Sequence, residues 1–431
     1  MNTTPELDQF ASEGVRFEHA FTPQPVCGPC RSLFQTGLYP TSTGCFRNNI
    51  ALPGDSKTLG HYFESAGYET AYVGKWHLAS DGELETKPRL DFHDAPIPLE
   101  HRGGYTGFWR ASDVLEFTSD GFGGYVFDEH MNKLDFKGYR ADCITDYALE
   151  FLDQRSGTKP FFLTVSHIEP HHQNNAGHYQ GPEGSKEKYK DSRLPEDLNN
   201  GIGDASQEYP DYLGACESID RNFGRLIQAL KDKGIYEDTI IIFTSDHGSH
   251  FRTRNNDSHK NGYDDYKRSG HDASIRVPLV IRGGKYLGGR EIKDLVSTTS
   301  LPRTMLAMAG KKEEIPMIGE DLITVVEGNP LRKNEVFVQV SESRVGRVLR
   351  TADYTYAVYA PGKNGGLFKD SDVYADDYLY DLNKDPHQQS DLKDCEEYLE
   401  IKMDLREKLL DWIAEAEYGG DRKRVRILDS V

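Results

Sequence analysis

Cys27-Gly28-Pro29-Cys30-Arg31-Ser32 admits two readings, and the choice between them decides how the rest of the chain is understood. The first four residues spell Cys-x-x-Cys, the spacing of a thiol–disulfide pair. Read as Cys-x-Pro-x-Arg, the same residues set one thiol and one cation a helical turn apart. Both readings share a local expectation. Pro29 suits the first turn of a helix, Leu33 and Phe34 supply its apolar side, and Gly37 can end it. Residue 27 then stands at a helix N-terminus, where unpaired N–H groups and the dipole favour an anion. A thiolate and a bound oxyanion fit that place equally well, so the helix alone does not choose.

The surroundings lean away from redox chemistry. A thioredoxin-like dithiol sits near a βαβ pattern in a chain of roughly 100 residues, with its attacking thiol activated at a helix start. This chain has 431 residues, Val26 stands where such proteins usually carry an aromatic, and Arg31 follows directly. Six cysteines (Cys27, Cys30, Cys45, Cys143, Cys216, Cys395) are too sparse for a disulfide scaffold. Cys143 and Cys216 fall in helical patterns as small core residues. A formal net charge of −19 excludes a general nucleic-acid or anionic-membrane binder. An anionic substrate would therefore need a local basic pocket in an acidic surface. No run approaches the ~18 apolar residues of a membrane span, and the first residues lack the apolar core of a secretory leader. The expectation is a cytoplasmic protein as the chain is given, periplasmic or secreted if a leader precedes it.

Helix and strand patterns alternate, as in an α/β fold with a mostly parallel sheet flanked by helices. Residues 57–67 read as a helix and 70–73 as a strand. Helix 138–155 leads into the apolar strand 161–165. Leu213, Cys216, Ile219, Phe223, Leu226, Ile227 and Leu230 predict a helix over 211–233. Residues 239–244 form a nearly continuous apolar run, the mark of a strand covered on both faces. A strand at 278–281 and a helix at 300–309 follow. Two stretches, 80–135 and 172–208, lack a clear period and read as surface insertions. From about 335 the texture becomes β-like (336–340, 354–359, 378–382) and closes on an amphipathic helix near 396–416. The expected organisation is a catalytic α/β domain over 1–330 and a smaller C-terminal α+β subdomain over 331–431.

In an open α/β sheet, ligands bind at the carboxyl ends of strands. Lys75 and His77 follow the strand at 70–73. His167, His171 and His172 follow the strand at 161–165, and Asp246 and His247 follow the strand at 239–244. Each group has an ordinary reading as a solvated loop, a turn or surface histidines. Their joint occurrence at three strand ends points to a site.

The ordered set resembles the type I sulfatases of the alkaline phosphatase superfamily. Thr4-Pro5-Glu6-Leu7-Asp8 through Gly14-Val15-Arg16-Phe17 leads into Cys27–Arg31 and Thr36-Gly37-Leu38-Tyr39-Pro40. Gly67-Tyr68, Gly74-Lys75-Trp76-His77-Leu78, Pro170-His171 and Thr244-Ser245-Asp246-His247-Gly248 come next. Lys267 stands nine residues before Arg276-Val277-Pro278, and Tyr380-Asp381-Leu382…Asp385-Pro386 closes the match.

The resemblance implies a chemistry. Cys27 would be oxidised by a maturation enzyme to formylglycine, whose hydrated aldehyde attacks sulfur and forms a covalent sulfate intermediate. A divalent cation, usually calcium, would be held by residue 27, Asp246 and His247. Arg31 would orient the nucleophile, Lys75 and Lys267 would contact sulfate, His77 would pair with the diol, and His171 would protonate the leaving alcohol. Arg252 and Arg254 are candidates for extra positive charge near the substrate, as is His167 for a substrate contact. Trp109 and nearby tyrosines are a candidate platform for a sugar ring. The family also carries an upstream apolar strand ending in two adjacent aspartates that ligate the metal. No such pair occurs near this start, and Asp264-Asp265 lies in another region. The resemblance therefore implies an N-terminally incomplete catalytic domain, or an inactive, metal-poor relative. The expected substrates are sulfate esters of carbohydrates; a phosphate or phosphonate monoester hydrolase of the same superfamily and a Cys-Gly-Pro-Cys oxidoreductase are the rivals.

Overall fold

The computed structural model describes residues 2–82, 89–155, 157–254, 266–311 and 316–428; Asp264-Asp265 lies outside them. The α/β architecture is present, but the expected single sheet takes the form of two. In a six-stranded sheet, Glu69–Lys75 lies parallel to both Phe108–Ser112 and Phe161–Ser166. Antiparallel strands, beginning with Gly123–Asp128, extend it beyond Phe108–Ser112. In a four-stranded sheet, Val15–Phe21 lies parallel to Arg290–Ser297 and antiparallel to Leu279–Arg282, which pairs in turn with Ile241–Thr244.

Phe161–Ser166 and Ile241–Thr244 are edge strands, one in each sheet. Both are apolar and both remain only partly buried. They pack on one hydrophobic cluster with Ile144, Ala148, Phe151, Phe223 and Ile227. Helices Arg140–Gln154 and Ala205–Asp232 supply that cluster's apolar stripes. The second helix starts earlier than its periodicity suggests, with Pro210 inside it.

The stretch expected to be a surface insertion, 80–135, contributes an inner strand. Every residue of Phe108–Ser112 is buried. A strand covered on both faces shows no alternation, which is why its pattern is silent. Trp109 is fully buried and packs with Tyr72, Trp76 and Tyr105. Its ring is core and offers no sugar platform.

Toward the C-terminus, Val336–Val340, Gly346–Arg350, Tyr354–Tyr359 and Val373–Asp381 form an antiparallel sheet joined by the short parallel strand Arg426–Ile427. Helix Leu399–Glu417 covers one face through Leu405, Leu409 and Ile413. The other face shares a core with Phe21, Ile275 and Leu295.

Candidate active site

Helix Cys27–Thr36 begins where Val26 is extended and ends at Gly37, whose φ of +68° suits a residue without Cβ. The Gly37 N–H donates to the Leu33 carbonyl at 2.7 Å. Cys27 therefore stands on the first turn, where Asn48 Oδ1 accepts from the Gly28 N–H at 2.9 Å.

Three strand ends converge on this turn. Gly74 has φ +100°, and a Cβ there would lie 2.1 Å from the Ser166 carbonyl oxygen. Glycine at 74 thus lets the Lys75 strand end run against its neighbour. Arg31 Nη1 donates to the Lys75 carbonyl at 2.8 Å and to Ser166 Oγ at 2.6 Å. Arg31 Nη2 faces Asp246 Oδ2 at 3.4 Å.

The Cys27 sulfur lies 3.2 Å from His247 Nε2, 3.1 Å from Lys267 Nζ and 4.0 Å from His171 Nε2. Lys267 Nζ also lies 2.5 Å from His171 Nε2. Burial opposes a charge on Cys27, but Lys267, Lys75 and His247 outweigh it and hold the thiol well below its ordinary range. Burial, followed by Lys267, pushes His171 down, so its imidazole is neutral.

Cys30 behaves oppositely. Burial, then the Asp246 carboxylate, pushes it up, and its sulfur lies 3.3 Å from Thr22 Oγ1. All six cysteines are free. A dithiol pair needs two reactive sulfurs, and Cys30 is held protonated in the core.

Lys75 does not meet an open pocket. Its ammonium lies 2.5 Å from Glu116 Oε1, with side chains only 3% and 9% exposed. Burial works against the Glu116 charge, yet the Lys75 ammonium holds its carboxyl well below the usual carboxylate range. Glu116 was invisible in the sequence because it sits in the stretch without period. Ser166 had a signal, as the polar residue closing an apolar strand. Glu116→Gln is expected to destabilise the fold by about 3–5 kcal/mol at neutral pH, because it strands the buried Lys75 ammonium. The folded carboxyl is depressed, so its contribution is present above about pH 4 and is lost as the pH falls further. Urea midpoints at neutral and acid pH would check this, the two proteins converging in acid.

The structure thus gathers Cys27, Arg31, Lys75, His171, Asp246, His247 and Lys267. His77 follows them in a left-handed conformation (φ +61°), with Nδ1 buried. Three expected substrate contacts are engaged elsewhere. His167 Nε2 lies 3.0 Å from Thr145 Oγ1 on helix Arg140–Gln154. Arg252 pairs with Asp204 at 3.5 Å and stacks over Tyr266. Arg254 donates to the carbonyls of His387 and Gln388, which ties the loop after Asp246 to the C-terminal segment. Charge in the sequence marked both arginines, but it does not reveal such partners.

Among the described residues, the donors gathered here do not make up a calcium set. That ion takes six to eight oxygen ligands. Asp246 offers one carboxylate, already facing Arg31, and the remaining donors are a sulfur and imidazole nitrogens.

A sequence profile of the sulfatase family matches residues 1–311. A second profile, for the C-terminal part of N-sulphoglucosamine sulphohydrolase, matches residues 260–415. The chain is 29% identical to an ulvan-active sulfatase of Formosa agariphila, over 96% of this chain and 76% of that one. It is 27% identical to an endo-4-O-sulfatase of Bacteroides thetaiotaomicron, over 90% of this chain and 80% of that one. Among solved structures it resembles a putative sulfatase of Bacteroides fragilis, with a TM-score of 0.80, 24% identity and coverage of 98% and 92%. A phosphonate monoester hydrolase of Agrobacterium radiobacter shares the fold with a TM-score of 0.69, 20% identity and coverage of 96% and 91%. The fold alone is therefore common to both chemistries, and the profile that spans most of the sequence separates them: this chain belongs to the sulfatase family.

Proposed function

We propose that this protein cleaves sulfate esters of carbohydrates, with residue 27 acting after conversion to formylglycine by a maturation enzyme. One observation carries the reading: Cys27, Lys267 and His171 meet within 4.0 Å at a helix start. Converted to formylglycine, residue 27 supplies a hydrated aldehyde as the nucleophile toward sulfur.

The chain's own residues account for the other roles. In the thiol form the Cys27 thiolate neutralises Lys267. Conversion to an uncharged aldehyde removes that anion and leaves the ammonium to take an oxygen of an incoming sulfate group. Arg31 is fixed by Ser166, Asp246 and the Lys75 carbonyl, so it holds the helix start against the strand ends. Lys267 donates into His171 Nε2, and the pair stands where a proton can pass to the departing alcohol. The carbohydrate class is supported by the relatives, which are named for ulvan, for endo-4-O-sulfate and for N-acetylglucosamine-6-O-sulfate.

The mass of the peptide containing residue 27 tests the conversion. Replacement of the thiol by an aldehyde lowers it by about 18 Da by stoichiometry, a loss outside ordinary thiol oxidation. The converted protein is expected to turn over an aryl sulfate far faster than the matching aryl phosphate, and Cys30→Ser is expected to keep that activity. A preference for phosphate would favour the phosphonate-hydrolase rival. Loss of activity in Cys30→Ser would restore the dithiol reading.

A further inference from the structure

Calcium fits the donors around Cys27 poorly, but a softer ion fits them well. Among the described residues, one atom each of Cys27, His171 and His247 lies within 4.8 Å of the other two. Zinc bonds of ~2.3 Å to sulfur and ~2.0–2.1 Å to nitrogen, arranged tetrahedrally, put such donors about 3.5 Å apart. The observed sulfur–nitrogen separations are 3.2 and 4.0 Å. Closing the set brings the two imidazole nitrogens, within 4.8 Å of each other, nearer together and displaces the Lys267 ammonium.

Both imidazoles are oriented for ligation. His247 Nδ1 faces the Gly248 carbonyl at 2.8 Å, and His171 Nδ1 faces the His172 carbonyl. A carbonyl only accepts, so each Nδ1 carries a proton and each Nε2 is the atom turned toward the sulfur, free to ligate when the imidazole is neutral. A second-position hydrogen bond to a carbonyl is the usual support of a metal-ligating histidine.

We infer that, while residue 27 remains a thiol, Cys27, His171 and His247 form a three-ligand site for zinc. The Lys267 ammonium now contacts two of the three ligand atoms, the sulfur and His171 Nε2. Ion and ammonium compete for the same two atoms. A bound ion covers the sulfur, so conversion of residue 27 and docking of an oxyanion both require its release. The site belongs to the unconverted protein and does not depend on hydrolytic activity.

The test uses the full chain with Cys27 reduced. Zinc affinity is measured by competition with a chromogenic chelator, and cobalt(II) serves as the spectroscopic stand-in. One equivalent of zinc is expected, and the cobalt form should show a thiolate charge-transfer band. Cys27→Ser should abolish that band. His171→Ala and His247→Ala should each weaken zinc by at least about 10–100-fold, the cost of losing an outer-shell support alone, since each removes a ligand outright. Lys267→Met should tighten binding severalfold by removing the competing charge. Cys30→Ser and Cys395→Ser should change nothing, and thermal melts confirm that each variant is folded. A band that persists in Cys27→Ser would overturn the site. So would zinc affinity unmoved in both histidine variants, or calcium bound as tightly as zinc.

Discussion

Lys267→Ala is expected to lower kcat/KM of the converted enzyme on an aryl sulfate by about 10²–10³-fold, the loss that follows removal of one preorganised donor to a developing oxyanion. Two contacts set this size. The Lys267 ammonium lies 3.1 Å from the residue-27 sulfur and 2.5 Å from His171 Nε2, so it touches both the proposed nucleophile position and the proposed proton donor. It is also largely buried, at 5% exposure, where a charge is screened little by water. Substituting it should depress kcat more than it raises KM, because the charge matters most as the bond to sulfur changes. Steady-state kinetics with a melt to confirm folding would check this. A variant retaining more than a tenth of the wild-type kcat/KM would remove Lys267 from the chemistry.

Arg140→Ala is expected to cost about 3–5 kcal/mol of stability, the usual penalty for stranding one member of a buried ion pair. The Arg140 and Glu169 side chains are 0% and 1% exposed, with Arg140 Nη2 2.8 Å from Glu169 Oε1. Arg140 also donates to Gln173 Oε1, Ser119 Oγ and the Asp120 carbonyl. Glu169 and Gln173 flank His171, so one guanidinium fixes the turn that carries the proposed proton donor. Activity should fall together with stability. Arg140→Lys should recover only part of either, since an ammonium cannot reproduce the planar fork. Urea midpoints at constant m-value would give the stability change.

Much of this architecture was legible because its signals are local. Gly37 ends its helix in the left-handed conformation that glycine tolerates, and the apolar run before Asp246 is a strand. Lys75, His171, Asp246 and His247, from three strand ends, do gather around Cys27, whereas His167 turns to Thr145. The misses have a shared cause: their signals lie in partners distant along the chain. Phe108–Ser112 shows no alternation because both of its faces are covered, and Trp109 reads as a platform until Tyr72 and Trp76 enclose it. The apolar period of the long helix is visible only from about residue 211, yet the helix begins at Ala205. Arg252 and Arg254 look like spare charge until Asp204 and the carbonyls of His387 and Gln388 are placed beside them. Glu116 has no motif and is recognisable only by what it neutralises.

The two edge strands carry a consequence for handling the protein. The carboxyl ends of Phe161–Ser166 and Ile241–Thr244 both reach Arg31, through Ser166 and Asp246, while neither strand has a ladder partner on its outer side among the described residues. Edge strands are in general templates for cross-chain pairing. Repulsion between molecules that each carry 19 excess negative charges opposes that pairing. Colloidal behaviour is therefore tied to carboxylate ionisation: mild acid, or enough salt to shorten the Debye length, removes the barrier that keeps these borders apart.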